Sequence, residues 1–184
     1  MQYKRGIRMT ILAEKELRKI YADFDDEQFT PNGVDLRLKA VYLPENISRG
    51  VFGITKGQKI IPQLIEIPAL DDAYILNPGK KYFINCGHID IPKDCAQFYY
   101  PRSTLMRAGL ELYSAVGDAG YSGDLIFAIK VSGVASLVIE KNERVVQAIT
   151  HKLTSETDGY NGDYQHNKIY KENESDLINP EYKE

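Results

Sequence analysis

Two short segments in the middle of the chain carry the residue types that phosphate chemistry requires. The first reads PRSTLMRAGL at positions 101–110, and the second reads DAGYSG at positions 118–123. The first brings two arginines and two hydroxyl groups, and the second adds one carboxylate within the same short span. Guanidinium groups hold phosphate oxygens through several fixed donors, and a carboxylate beside them is suited to activating a water molecule. The combination predicts a nucleotide site.

The first segment has a functional and a structural interpretation. Arg102 and Arg107 flank the hydroxyls of Ser103 and Thr104, and arginine keeps its charge while it donates to phosphate oxygens. The alternative is a pair of solvated arginines at the start of a helix that Ser103 or Thr104 caps. The segment by itself does not decide between a phosphate site and a capped helix.

The second segment is also open to two interpretations. Asp118 precedes a turn whose glycines let the backbone approach a ligand, and Tyr121 is placed to stack on a sugar or base. The alternative is an Asx turn between strands, with Tyr121 packed on the body of the domain.

Two later segments carry weaker signals. NERVVQ at 142–147 places a turn before a strand, and Gln147 offers both a donor and an acceptor to a base edge, although it is equally an ordinary strand residue. YNGDYQ at 160–165 is a polar, glycine-containing segment that is suited to fold over a ligand as a lid. The alternative for this segment is a frayed terminus.

Composition limits the possible functions. The chain has 184 residues, 43% of them hydrophobic, which is enough for one domain with a full core. Its net charge of −3 argues against polymeric DNA or RNA as a partner. Cys86 and Cys95 lack the spacing of a zinc site, and neither a secretory signal nor a membrane-spanning run is recognisable. We therefore expect a cytoplasmic protein whose two thiols are core residues and which has no membrane partner.

Periodicity predicts a mainly β domain. Apolar spacing predicts one helix of about three turns over 10–24, with Thr10 as a possible cap. After the turn signal at 31–33 we expect an all-β barrel or sandwich. The domain is predicted over 1–152, with 1–8 as an extension, and 153–184 as a polar tail that is disordered or ordered by a ligand or a neighbouring subunit. The predicted strands are 34–42, 59–67, 82–86, 97–100, 125–131 and 135–139.

Strand alternation separates two faces of the segment 125–131. Large side chains at the odd positions share one face, which predicts that they point into the core. Ala128 lies on the opposite face.

Taken together and in this order, the segments resemble the dCTP deaminase and trimeric dUTPase superfamily from Met9 to about Gln165. MTILAEKELR at 9–18 resembles the opening helix of the deaminases, and NGVDLRL at 32–38 resembles the first shared motif. The start of the 101–110 segment is similar to the phosphate-binding motif of dUTPases, and its continuation is closer to the deaminases. The 118–123 and 143–147 segments are similar to the third and fourth motifs, and 160–165 resembles the deaminase-type lid.

The resemblance implies a distorted β-barrel of the jelly-roll type with an N-terminal helix, assembled as a homotrimer with sites between subunits. It implies Mg²⁺ chelated by the triphosphate of dUTP or dCTP, with a water-bridged contact to Asp35 as a further expectation. The implied catalytic residues are Asp118, which orients water, with Ser103 and Arg107. The residues implied to bind substrate are Arg102, Ser103, Thr104, Arg107, Asp118, Tyr121, Gln147, Tyr160, Tyr164 and Gln165.

Two departures from the family pattern bear on the reaction. The deaminases carry a proton-shuttling glutamate where this chain has Ala128, and a methyl group neither takes nor gives a proton. The hairpin 111–117 is about two residues shorter than in the deaminases, and Gly117 replaces the usual aliphatic residue. The first departure favours dUTP diphosphatase chemistry, and the second leaves the preferred base open. The alternatives are a dCTP deaminase, with that activity alone or bifunctional, and a catalytically silent nucleotide-binding trimer.

Overall fold

The structure, a computed structural model, describes residues 10–45, 53–54 and 59–167, and antiparallel strands make up about half of them. The helices in these ranges are α1 (Glu14–Ile20), α2 (Ser103–Arg107) and the 3₁₀ turns Asp26–Gln28 and Gln165–Asn167. The strands are β1 (Thr10–Ile11), β2 (Phe29–Thr30), β3 (Gly33–Arg37), β4 (Ala40–Pro44), β5 (Gly53–Ile54), β6 (Lys59–Ile60), β7 (Leu64–Ile67), β8 (Ala73–Leu76), β9 (Lys81–Asp90), β10 (Cys95–Pro101), β11 (Leu110–Tyr113), β12 (Ser122–Val131), β13 (Leu137–Glu140) and β14 (Arg144–Lys152).

Two five-stranded sheets enclose the core. In one sheet β14 pairs with β1, β3 and β10, and β2 extends β3. The other sheet has the order β11-β12-β9-β4-β7, and the pairs β8–β13 and β5–β6 stand apart from both. The predicted mainly β class is confirmed, as a distorted jelly-roll arrangement whose sheets do not close into a complete barrel in the described part of the chain.

The predicted alternation of β12 is confirmed. Leu125, Phe127, Ile129 and Val131 are all buried, whereas Ala128 is only half-buried on the opposite face. Fully burying a side chain of this size contributes about 1.5–3 kcal/mol, so β12 is one of the main anchors of the core. Its partner β9 runs beside it from Ser122↔Asp90 to Lys130↔Lys81, with a bulge between Asp124 and Ile126.

The N-terminal helix is shorter than predicted. Helix α1 covers Glu14–Ile20, its N-cap is Ala13 without a side-chain hydrogen bond, and Thr10 does not cap it. Thr10 and Ile11 instead form β1 against His151 and Lys152 of β14. The backbone groups of Thr10 and Ile11 bond to the edge of β14 instead of to a longer helix. Pairing with the sheet therefore prevails over helix propensity at these two positions.

Several strands also differ from their predicted bounds. The predicted strand 34–42 is two strands, because Leu38 N–H donates to Glu143 O and Lys39 N–H donates to Asn85 O, which moves the chain from one sheet to the other. The predicted strand 59–67 is interrupted at 61–63, where Pro62 lacks a backbone donor. The predictions for 82–86, 97–100 and 125–131 fall inside the longer strands β9, β10 and β12, and 135–139 overlaps β13.

Other expectations concern the cysteines, the tail and membrane association. Cys86 and Cys95 are buried and reduced, as predicted for core thiols.

Residues 153–167 pack on their own chain, an arrangement that the composition of the tail did not predict. The extension 1–8 and the tail end 168–184 lie outside the described residues. No helix within the described ranges has the length and apolar character needed to cross a bilayer.

Candidate functional site

A cavity of about 620 Å³ opens beside the turn that carries the predicted catalytic carboxylate. Its walls are mainly apolar, and they come from residues 61–64, from β9, β10 and β12, from the segment 115–121 and from the polar tail. Cavities of this size and character are typical of small-molecule sites. The lining residues are Ile61, Pro62, Leu64, Phe83, Tyr99, Ala115, Val116, Gly117, Asp118, Tyr121, Asp124, Leu125, Ile126, Phe127, Tyr160 and Tyr164.

Backbone pairing places Asp118 at the cavity. Gly117 N–H donates to Gln97 O, and Gln97 N–H donates to Gly117 O, each at 2.9 Å. The chain then turns, because Tyr121 N–H donates to Asp118 O at 3.1 Å. Gly117 is buried, and the next residue, Asp118, is exposed. A water molecule in the cavity therefore has access to the carboxylate.

Tyr121 and Asp124 form one wall of the cavity. The Tyr121 hydroxyl donates to Asp124 O at 2.8 Å, and its ring meets the edge of Tyr160 at a centroid distance of 5.7 Å. Burial, with smaller contributions from Asp124 and Tyr160, raises the pKa of Tyr121 to about 12, so the phenol is neutral at physiological pH. Tyr121 thus presents an uncharged aromatic surface, which suits contact with a sugar or base.

The polar tail closes over the turn that follows Asp118. Tyr160 N–H donates to Ala119 O at 2.7 Å. Gly120 has a φ of +77°, and a Cβ there would lie 2.7 Å from Gly159 Cα, so the two backbones touch where no side chain intervenes. Tyr160 and Tyr164 consequently line the cavity, in the position expected of a lid.

Side-chain amides secure the end of this lid. Gln165 accepts a hydrogen bond from Ser122 N–H and donates to Gly120 O, both at 3.1 Å. Asn167 Oδ1 accepts from Asp124 N–H at 2.8 Å. These contacts satisfy backbone groups of the turn and of β12, which is how a segment poor in aliphatic residues is ordered. Gln165, predicted to bind nucleotide, therefore contacts the turn in this structure.

A second group of predicted residues surrounds Asp35 on β3. The Asp35 side chain is only 4% exposed, and its Oδ2 lies 2.9 Å from Arg102 Nε and 3.8 Å from Arg144 Nη1. Arg102 Nη1 also lies 3.2 Å from a carboxylate oxygen of Glu143. Burial raises the pKa of Asp35, and the two arginines oppose that shift. The guanidinium groups of Arg102 and Arg144 offset the cost of burying the charged Asp35 carboxylate.

The remaining predicted residues lie near this second group. Gln147 is opposite Asp35 in the β14–β3 pairing and donates to Thr30 Oγ1 at 2.8 Å. Ser103, Thr104 and Arg107 are exposed on α2, whose N-cap is Arg102. The alternative of a helix capped by Ser103 or Thr104 is wrong, because no side-chain cap bond forms.

In a single chain, the predicted site residues do not all line the same cavity. Within the described ranges, the lining of the cavity includes Asp118, Tyr121, Tyr160 and Tyr164. It does not include the other predicted residues, which are Arg102, Ser103, Thr104, Arg107, Gln147 and Gln165. Asp118 therefore lies at the cavity, whereas the arginines and hydroxyls of the 101–110 segment do not line it.

Ala128 lies beside the cavity without lining it. In the sheet it pairs with Tyr113 on β11 and with Phe83 on β9, and Phe83 is a lining residue. Lys81 Nζ stands 5.5 Å from the Phe83 ring and 5.9 Å from the Tyr113 ring. The cross-strand partners of Ala128 thus supply no carboxylate.

Asp124 and Tyr99 are the two polar side chains among the lining residues that sequence reasoning did not single out. The alternation of β12 carried a signal for Asp124, because it shares the outward face with Ala128. Asn85 Nδ2 donates to its carboxylate at 3.1 Å, and His88 Nδ1 lies 3.9 Å from it. Tyr99 is a buried residue of β10, and no motif in the sequence marked it as part of the cavity.

Comparisons with known proteins agree with this architecture. The model of the dCTP deaminase-like family matches residues 7–153. A relative named probable deoxyuridine 5'-triphosphate nucleotidohydrolase, from Methanopyrus kandleri, is 35% identical over 84% of this chain and 98% of its own length. A relative of the same name from Methanothermobacter thermautotrophicus is 34% identical over 84% of this chain and 99% of its own.

A solved structure supports the fold. The crystal structure of 2'-deoxycytidine 5'-triphosphate deaminase from Agrobacterium tumefaciens aligns with a TM-score of 0.59 and 20% identity, over 78% of this chain and 48% of that chain. At this identity the likeness concerns the arrangement of strands and does not extend to the reaction.

The Asp35 pairing leads to a stability prediction. Replacing Arg102 by alanine leaves the buried Asp35 carboxylate with only the more distant Arg144, so the free energy of unfolding should fall by about 3 kcal/mol in urea titration. The exposed Arg107→Ala is the control and should change it by less than about 0.5 kcal/mol. Adding Asp35→Asn to Arg102→Ala should restore part of the loss. Equal stability of the two arginine variants would contradict this account.

Proposed function

Because the chain belongs to the dCTP deaminase-like family, we propose that it hydrolyses dUTP to dUMP and pyrophosphate. The observation that carries the proposal is the pairing of a retained carboxylate, Asp118, at the cavity with an alanine at position 128, where deaminases have their glutamate. The names of the archaeal relatives support the same substrate and reaction class.

In this reaction Asp118 orients a water molecule and accepts its proton as the water oxygen bonds to the α-phosphorus. The bond from that phosphorus to the oxygen bridging to the β-phosphate breaks, and pyrophosphate leaves. A positioned general base contributes about 10²- to 10⁴-fold to such a step. Tyr121 packs against the deoxyribose, and the lid tyrosines Tyr160 and Tyr164 shield the cavity from bulk water.

Ser103, Thr104 and Arg107 bind the phosphates and stabilise the charge that develops on them. Their exposure on α2 leaves them accessible to a triphosphate. Arg102 begins the same helix and is held by Asp35 and Glu143, so it also sets the direction of α2. Gln147 and Gln165 complete the nucleotide contacts in this proposal.

The described residues offer no cluster of ligands that would hold a metal ion by themselves. No group of three or more His, Cys, Asp or Glu side chains suited to an ion occurs in the described ranges. The Asp35 carboxylate already pairs with two arginines. Its water-bridged contact with Mg²⁺ stays a prediction. We propose that Mg²⁺ enters chelated by the triphosphate and is not held by a cluster of protein ligands.

A shared site in a homotrimer accounts for the separation of the two groups of residues. In this proposal Asp118 and the cavity come from one subunit, and the hydroxyls and Arg107 come from α2 of its neighbour. Phe98 and Tyr100 on β10, just before α2, are 39% and 56% exposed, which provides apolar surface for a subunit contact.

Deamination of dCTP is the second candidate, because the matching family model is named for it and a second carboxylate, Asp124, lines the cavity. Asp124 is already bonded to Asn85 and lies beside His88. It is also four residues before Ala128 on the same strand. These contacts make Asp124 a poor substitute for a proton-shuttling glutamate, so hydrolysis remains the leading proposal.

The first test follows pyrophosphate release from dUTP with Mg²⁺. The wild-type protein should release pyrophosphate, and Asp118→Asn should lower kcat by about 10²- to 10⁴-fold while Kd for a non-hydrolysable dUTP analogue stays unchanged. Asp23→Asn, an exposed aspartate on the turn after α1, is the matched control and should keep wild-type turnover. Unchanged kcat in Asp118→Asn would exclude the assigned role.

The second test concerns Ala128 and follows ammonia release from dCTP. The wild-type protein should release none, and Ala128→Glu should gain measurable ammonia release because it restores a group that transfers protons. Ala128→Gln has the same size without an ionisable group and serves as the control. Ammonia release by the wild-type protein would show that the alanine does not block deamination.

The third test asks whether two subunits share each site. Asp118→Asn and Arg107→Ala are purified separately, unfolded, mixed and refolded together. In randomly mixed trimers about one quarter of the shared sites would combine an intact Asp118 with an intact Arg107, so activity should return to about one quarter of wild type. Sites built within one chain would show no recovery.

A further inference from the structure

The space that a side chain at position 117 would fill is already occupied. A Cβ built on Gly117 would lie 2.2 Å from the Tyr99 hydroxyl oxygen, 2.7 Å from Ile91 Cδ1 and 3.0 Å from Gln97 Cβ. Contacts this short are not tolerated, so the neighbours would have to move. The Tyr99 phenol therefore stands where the aliphatic side chain expected at 117 would otherwise pack.

Hydrogen bonds hold the Tyr99 phenol in this place. Its hydroxyl donates to Gln97 Oε1 at 2.9 Å. Gln97 Nε2 in turn donates to Tyr21 Oη at 2.6 Å and to Thr150 Oγ1 at 3.1 Å. Gln97 and Thr150 have no exposed surface, and Tyr99 is 7% exposed. A fully bonded buried network of this kind resists displacement, because each broken bond would leave a buried polar group unpaired.

Aromatic packing fixes the ring itself. The Tyr99 ring meets the edge of Phe127 at a centroid distance of 4.8 Å, and both rings line the cavity. Burial raises the pKa of Tyr99 well above its usual range, with smaller contributions from neighbours that include Asp118. The hydroxyl therefore stays protonated and keeps its role as a donor to Gln97.

We propose that Tyr99 is a positioning residue for Asp118. Its phenol takes the place of a side chain at 117, so the Gly117 backbone can pair closely with Gln97 and direct the adjacent carboxylate toward the cavity. The role assigned to Asp118 in this inference rests on the proposed hydrolysis of dUTP. Tyr99 itself transfers no proton in the reaction.

A double-mutant cycle tests the pair Tyr99 and Gly117. Gly117→Ala should lower kcat for dUTP at least about tenfold with little change in KM, because the methyl group collides with the hydroxyl and displaces Asp118. Tyr99→Phe should have a smaller effect. The double variant should recover part of the loss, because removal of the hydroxyl takes away the shortest contact and only the end of the Ile91 side chain then has to shift. Gly53→Ala, where no atom of the described residues lies within 4 Å of the added Cβ, is the control and should match wild type.

The outcomes separate this inference from the proposed function. Absence of pyrophosphate release by the wild-type protein would overturn the proposed function, whereas losses that simply multiply in the double variant would overturn the role of Tyr99. Crystal structures of the variants give a measurement that does not depend on turnover. Asp118 should shift in Gly117→Ala and return in the double variant. An unmoved Asp118 in Gly117→Ala would overturn the inference.

The cycle remains decisive if Gly117→Ala does not fold by itself. Recovery of a folded double variant with Asp118 in its original position would then support the steric pairing. The inference would be overturned if Gly117→Ala and the double variant both failed to fold while Tyr99→Phe folded. In that case a group other than the hydroxyl would exclude the methyl group.

Discussion

Strand β14 is hydrogen-bonded along both of its edges, and this double pairing connects the two parts of the candidate site. One edge pairs with β10 from Cys95↔Lys152 to Pro101↔Val146, and the other pairs with β3 from Arg144↔Arg37 to Ala148↔Val34. A strand paired on both sides with a buried centre has little freedom to shift its register, because a shift by one residue would turn its apolar side chains to solvent. The positions of Asp35 and of α2 both follow from this register.

The same pairing explains why polar side chains lie deep in the protein. Gln97 on β10 and Thr150 on β14 are directly opposite each other, and they join Tyr21 and Tyr99 in one hydrogen-bonded network. Asp35 on β3 is opposite Gln147 and meets Arg102 at the end of β10. Both networks are satisfied largely by partners distant in sequence, so they depend on the sheet that brings those partners together.

The segment after β14 illustrates how a stretch poor in aliphatic residues becomes ordered. Its backbone contacts the turn at Ala119 and Gly120. The side chains of Gln165 and Asn167 supply the donors and acceptors that a neighbouring strand would otherwise provide.

The sequence by itself determined the mainly β class, the inward face of β12, the burial of both cysteines and the candidate residues Asp118, Arg107 and Ala128. These features follow from local alternation, composition and motif order, which one sequence carries. Only the tertiary structure decided that Asp35 pairs with Arg102, that Tyr99 fills the space beside Gly117, that residues 159–167 contact their own chain, and that the arginines do not line the cavity with Asp118. Contacts of this kind join residues far apart in the chain, and their geometry depends on strand register and on the shape of the core, which no local pattern encodes.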